Sequence, residues 1–72
     1  MTGAIQKELD KKFDYHQPQP GQPERYTALR SQLKETAEII YSACPESRER
    51  ALAITKLEEA LFWANASIAR NE

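Results

Sequence analysis

Cys44–Glu72, CPESRERALAITKLEEALFWANASIARNE, is the stretch whose reading decides the fold. Pro45 ends whatever helix precedes it, because the residue before a proline is biased away from helical backbone. Ser47 then suits an N-cap: its hydroxyl can accept from the backbone N–H of Glu49 or Arg50, and Glu49 places a negative charge in the first turn. From there the pattern predicts one uninterrupted helix in which Ile54, Leu57, Leu61, Ala64 and Ile68 recur three and four apart. A second set, Ala51, Thr55, Phe62, Ala66 and Ala69, with Leu52 and Trp63 further round, lies away from that stripe.

Upstream, Pro23 fits a first helical position, where its missing N–H loses nothing, and Glu24 adds a favourable charge beside it. The predicted helix runs from there to about Ala43. Tyr26, Leu29, Leu33, Ala37, Ile40 and Cys44 share one of its faces, with Arg30, Lys34 and Tyr41 forming a basic and aromatic edge beside them. So few residues separate the two helices that they must be antiparallel neighbours, a helical hairpin.

Before the hairpin, Pro18, Pro20, Pro23 and Gly21 forbid a continuous helix and favour an extended arm. Phe13, Tyr15 and His16 at its entrance predict that the arm lies against the helices, filling a groove or touching a ligand. Ala4 to Lys12 reads as a short helix that needs something to dock on. The expected fold class is therefore all-α: residues 1–22 form a short N-terminal helix and Pro-rich arm, and residues 23–72 the antiparallel helical hairpin of one small domain.

A chain of 72 residues buries a core worth only about 3–5 kcal/mol unless disulfides, metal or self-association add to it. Cys44 is the only cysteine and His16 the only histidine, so neither a disulfide nor a zinc cluster can form within one chain. Self-association is the remaining device, and the second apolar face of the last helix points to a homo-oligomer. The alternative is a monomer in which the N-terminal arm covers that face. A formal charge of −1 argues against binding duplex nucleic acid. No apolar run is long enough to span a membrane, and residues 1–10 lack the layout of a signal peptide. The expected location is the cytoplasm, where a reduced Cys44 belongs.

Catalysis finds little support. Glu35, Glu38, Glu49, Glu58 and Glu59 sit at spacings expected of surface charge pairs, and the adjacent Glu58 and Glu59 point about 100° apart. There is no glycine-rich phosphate loop, and no cofactor is expected. Arg48, Thr55 and Arg70 share a broad sector of the last helix, with Asn65 to one side. Guanidinium groups there match phosphate geometry with two parallel hydrogen bonds.

The CPESRE turn, the AITKLEEA centre and the FWANASIAR end, with the upstream FDYHQP and RYTALR segments, resemble a helical-hairpin domain shared by two phage counter-defence proteins. These are the cyclic-oligonucleotide sponge that blocks CBASS immunity and the cyclic-ADP-ribose sponge that blocks Thoeris immunity. The resemblance covers Phe13 to Arg70. It implies a small helical homo-oligomer, a hexamer, that holds a second messenger between subunits without cleaving it. Carried onto this sequence, it implies Tyr26 as a base-stacking ring and Arg30 as a phosphate partner, with Arg48, Thr55, Asn65 and Arg70 as further ligand-binding residues. Arg50 and Lys56 also match polar positions, but read equally as a snorkelling side chain and a solvated face.

Residues 1–22 stand where the Thoeris-type relative has a strand-rich portion. The expected ligand is therefore a cyclic di- or trinucleotide first and a cyclic ADP-ribose isomer second. A hairpin that binds only protein, with no ligand, is the alternative from another class.

Overall fold

The computed structural model describes residues 2–72; Met1, with which the N-terminal segment begins, lies outside them. Among the described residues there are three helices and no strand: α1 (Gly3–Phe13), α2 (Gln22–Ala43) and α3 (Arg48–Asn71). Each start has a local cause. Thr2 caps α1 by accepting from Ile5 N–H at 3.2 Å, and Ser47 caps α3 by accepting from Arg50 N–H at 3.0 Å. Helix α2 begins differently, on Gly21 in the left-handed region (φ 85°), with Pro23 in its first turn. Only glycine adopts that backbone at little cost, which makes Gly21 the hinge between arm and hairpin.

Helix α2 ends at Cys44, whose N–H donates to the Ile40 carbonyl, and Pro45 prevents another turn. Helices α2 and α3 pack side by side as the expected hairpin. Leu29, Leu33, Ala37 and Ile40 of α2 and Ile54, Leu57, Leu61, Ala64 and Ile68 of α3 are all half-buried in the seam. Cys44, placed on the same stripe by spacing, is exposed because the helix ends before it.

Helix α1 is held by its own side chains more than by the hairpin. Lys12 pairs with Glu8 at 2.8 Å, and Gln6 Nε2 donates to Asp10 Oδ1 at 2.8 Å, both one turn apart. Lys11 and Lys12 in its last turn favour the negative end of the helix dipole.

The protomer has no compact core. No apolar residue among those described is buried, and the Cα radius of gyration is 16.1 Å. A compact chain of this length has about 11 Å. Two expectations about the arm and the second face are corrected here. Phe13 and Tyr15 are 79% and 83% exposed, so the arm's aromatic rings do not lie against the hairpin of their own chain. Phe62 and Trp63 remain 60% and 67% exposed, so the arm does not cover the second face of α3. The arm turns instead toward the open end of the hairpin, where only His16 of its entrance residues is half-buried. Helix α1, through Glu8, Lys11 and Lys12, shares a shallow hollow with Trp63 without covering it.

Candidate functional site

The open end of the hairpin, where α2 starts and α3 finishes, carries a shallow hollow of about 480 Å³. That volume falls in the range of small-molecule sites. Its walls come from three places. Helix α2 gives Tyr26 and Arg30, one turn apart; α3 gives Asn65 and Arg70; the end of α1 and the arm give Lys12, Asp14 and His16.

Ala66 and Ala69 also line the hollow and are half-buried. The wheel reading placed both at an interface, together with Phe62. Within the protomer their small side chains leave room for the hollow between α3 and the arm.

Each polar wall residue is positioned by a specific contact. One His16 ring nitrogen, Nε2, lies 2.7 Å from the Lys11 carbonyl. A carbonyl oxygen only accepts, so Nε2 carries the proton. This bond folds the arm back onto the end of α1. Arg70 Nη2 lies 3.4 Å from the Lys12 carbonyl, a long contact that links α3 to α1 across 58 residues of sequence. Arg30 Nη2 reaches Thr27 Oγ1 at 3.4 Å.

Among the described residues neither Arg30 nor Arg70 has a carboxylate partner; the ion pairs are Lys12–Glu8, Arg25–Glu72 and Lys56–Glu59. Two guanidinium groups therefore border the hollow with their charge unmatched. Asn65 Oδ1 is covered from solvent and has no hydrogen-bond partner, a condition that costs about 1–3 kcal/mol.

A second arrangement closes the same end. Gln22 is only 2% exposed. Its Oε1 accepts from Gln19 N–H at 2.9 Å, its own N–H donates to the Gln19 carbonyl at 3.0 Å, and its Nε2 donates to Glu72 Oε1 at 3.1 Å. Arg25 pairs with Glu72 through both guanidinium nitrogens, one of them donating to Oε2 at 2.7 Å. Donation from Arg25 first, and from Gln22 second, lowers the Glu72 carboxyl to about 2. The reverse contact raises Arg25. Nothing in the sequence pattern distinguishes Gln22 among the three glutamines Gln17, Gln19 and Gln22, or singles out Lys12 and Asp14.

Four of the six sequence-predicted residues, Tyr26, Arg30, Asn65 and Arg70, thus meet around one hollow. Arg48 and Thr55 do not. Arg48 lies at the start of α3, 22 residues from Arg70, about 33 Å along the axis at 1.5 Å per residue. Thr55 is exposed partway between them. Arg50 has a local role: it donates to the Cys44 carbonyl at 3.2 Å and stacks 4.9 Å above the Tyr41 ring. Lys56 pairs with Glu59 at 3.5 Å.

Among the described residues, no three His, Cys, Asp or Glu side chains come together as metal ligands do. No helix of those residues is long and apolar enough to cross a membrane.

The description "Acb2/Tad1, hairpin domain" belongs to a family model that matches residues 6–69, nearly the whole chain. The chain belongs to the Acb2/Tad1 hairpin family. This is the family of phage anti-CBASS and anti-Thoeris sponge proteins, and its role is anti-defence, by sponge-like ligand binding without catalysis. No curated protein and no solved structure matches the chain. The Acb2/Tad1 match takes in every residue that lines the hollow except Arg70, which follows it directly.

Proposed function

We propose that this Acb2/Tad1-family protein is a phage counter-defence sponge that sequesters cyclic di- and trinucleotides, uncleaved, in the cytoplasm of the host cell. The observation that carries this reading is the pairing of two unmatched arginines, Arg30 and Arg70, with the Tyr26 ring at one hollow. Guanidinium groups grip phosphate oxygens in pairs, and a ring beside them stacks a base. Lys12 adds a third cation, and Asp14 supplies an acceptor for a base N–H.

Nanomolar capture requires about −12 kcal/mol. Stacking at roughly 1–3 kcal/mol per base and charged hydrogen bonds at about 1.5–3 kcal/mol each approach that figure when the pocket is preformed.

The ligand sits between protomers of a homo-oligomer. A protomer with no buried apolar residue and with Phe62 and Trp63 exposed gains its core by association. Association also gives Arg48 and Thr55 a role, because a neighbouring copy brings the start of one α3 toward the open end of another. The resemblance to the sponge proteins makes that assembly a hexamer.

The test is uptake from a panel of cyclic di- and trinucleotides and cyclic ADP-ribose isomers, followed by heat denaturation and analysis of the released ligand. Intact cyclic di- or trinucleotide is the expected product. Intact cyclic ADP-ribose isomer alone moves the protein to the Thoeris side of its family. A chemically altered ligand indicates an enzyme, and no uptake across the panel overturns the reading.

A further inference from the structure

We propose that Glu72, together with Arg25 and Gln22, is a clasp that pins the Pro-rich arm in place and so keeps the ligand hollow preformed. None of the three touches the hollow; all act through the arm, as positioning residues. The inference rests on the reading of the hollow as the ligand site, and deepens it by naming what holds the site open before ligand arrives.

The arm forms one wall of the hollow through Asp14 and His16, and it has two attachments. At its start, His16 bonds the Lys11 carbonyl, a contact within the arm and α1 alone. Beyond it, α1 reaches α3 only by the long Arg70–Lys12 contact of 3.4 Å, the one hydrogen bond between those two helices among the described residues. At its end, Gln19 and Gln22 exchange a reciprocal pair of hydrogen bonds across the left-handed Gly21. The Gln22 amide that completes this pair is in turn anchored on Glu72, 50 residues away in α3. Arg25 holds the same carboxylate from the other side.

Gln22 is the one buried residue among those described, and its side-chain oxygen and nitrogen are both bonded. Removing its partner strands a buried polar group, so the cost falls on the arm's attachment. Two prolines in the arm, Pro18 and Pro20, make this arrangement effective. They restrict the unpinned chain, so less conformational freedom is lost when the clasp closes. A wall held before binding lowers the ordering cost that a ligand meets. Arg25 and Tyr26 are neighbours in sequence, as are Arg70 and the end of α3. The clasp therefore also fixes the two helix ends that present the ring and the guanidinium.

The experiment compares the parent protein with Glu72→Ala, Glu72→Gln and Gln22→Ala, using amide hydrogen exchange without ligand and titration with a cyclic dinucleotide. Exchange at Gln19 and Gln22 is expected to accelerate at least tenfold in Glu72→Ala and Gln22→Ala, with the mid-hairpin amides of Leu33 and Leu57 unchanged. Affinity should fall about five- to tenfold at unchanged stoichiometry. Glu72→Gln, which keeps an acceptor for Gln22 but not the charge for Arg25, should lie between. Unchanged exchange at Gln19 and Gln22 overturns the clasp. So does accelerated exchange with parental affinity, because the arm is then no wall of the site. If the parent takes up no nucleotide at all, the ligand reading fails on its own, and the exchange data alone decide whether the clasp pins the arm.

Discussion

The two ends of the hairpin are built from similar residues and behave differently. At the turn end, the polar contacts join residues a few positions apart: Ser47 takes the Arg50 N–H, and Arg50 takes the Cys44 carbonyl and the Tyr41 ring. At the open end the partners lie 47 to 58 residues apart, as in Arg25–Glu72, Gln22–Glu72 and Arg70–Lys12. Local closure commits Ser47 and Arg50 to the turn itself. Long-range closure frames a hollow and leaves Arg30 and Arg70 without carboxylates. An arginine's partner, and not its presence in the sequence, separates a cap from a binding group.

The largest expected effects sharpen that contrast. Arg70→Ala should weaken cyclic-nucleotide binding about 10- to 150-fold, since a charged hydrogen bond is worth about 1.5–3 kcal/mol. Tyr26→Ala should weaken it about 5- to 150-fold through lost stacking. Arg50→Ala at the other end should leave affinity within error of the parent, as read by calorimetric titration. Equal losses from Arg50→Ala and Arg70→Ala would erase the distinction between the ends.

Gly21→Ala comes next. Its Cβ would meet open space, so the whole cost is the left-handed backbone, about 1–2 kcal/mol. The expected outcome is a lower denaturant midpoint. Ser47→Ala at the turn end should cost about 1 kcal/mol through the lost cap and leave ligand uptake intact; a loss of uptake would show that the turn end communicates with the site.

The smallest effect is on pH. Glu72 is lowered to about 2 in the folded protein, so below the ordinary carboxylate range the unfolded chain binds the extra proton first. The clasp's contribution is complete above that range and is lost as the pH falls toward 2. Arm amides should lose exchange protection across this window before amides of the turn do. Simultaneous loss at both ends would remove Glu72 as the cause.

The same contrast explains what was legible in the sequence. Pro45 and Ser47 act on their immediate neighbours, so the end of α2 and the start of α3 could be read directly from residue type. The seam was equally legible, because Leu33, Ala37, Leu57 and Leu61 follow the helical period. The open end was not. Among Gln17, Gln19, Gln22 and the prolines between them no periodicity marks Gln22 as the buried one; its burial depends on Glu72. The helical wheel gave the direction of Ala66 and Ala69 but not the hollow that they line. Arg30 and Arg70, which the sequence reading grouped, border one hollow, whereas Arg48 and Thr55 lie further along α3 and away from it.

The central claim, that an associating hairpin holds a phosphate-bearing messenger intact at its open end, is tested most directly by native mass measurement with and without a cyclic dinucleotide. The account predicts a homo-oligomer, six protomers in the proposed assembly, whose mass rises by whole numbers of unmodified ligand and returns when the ligand is released by heat. A monomer whose mass is the same with and without nucleotide would contradict it.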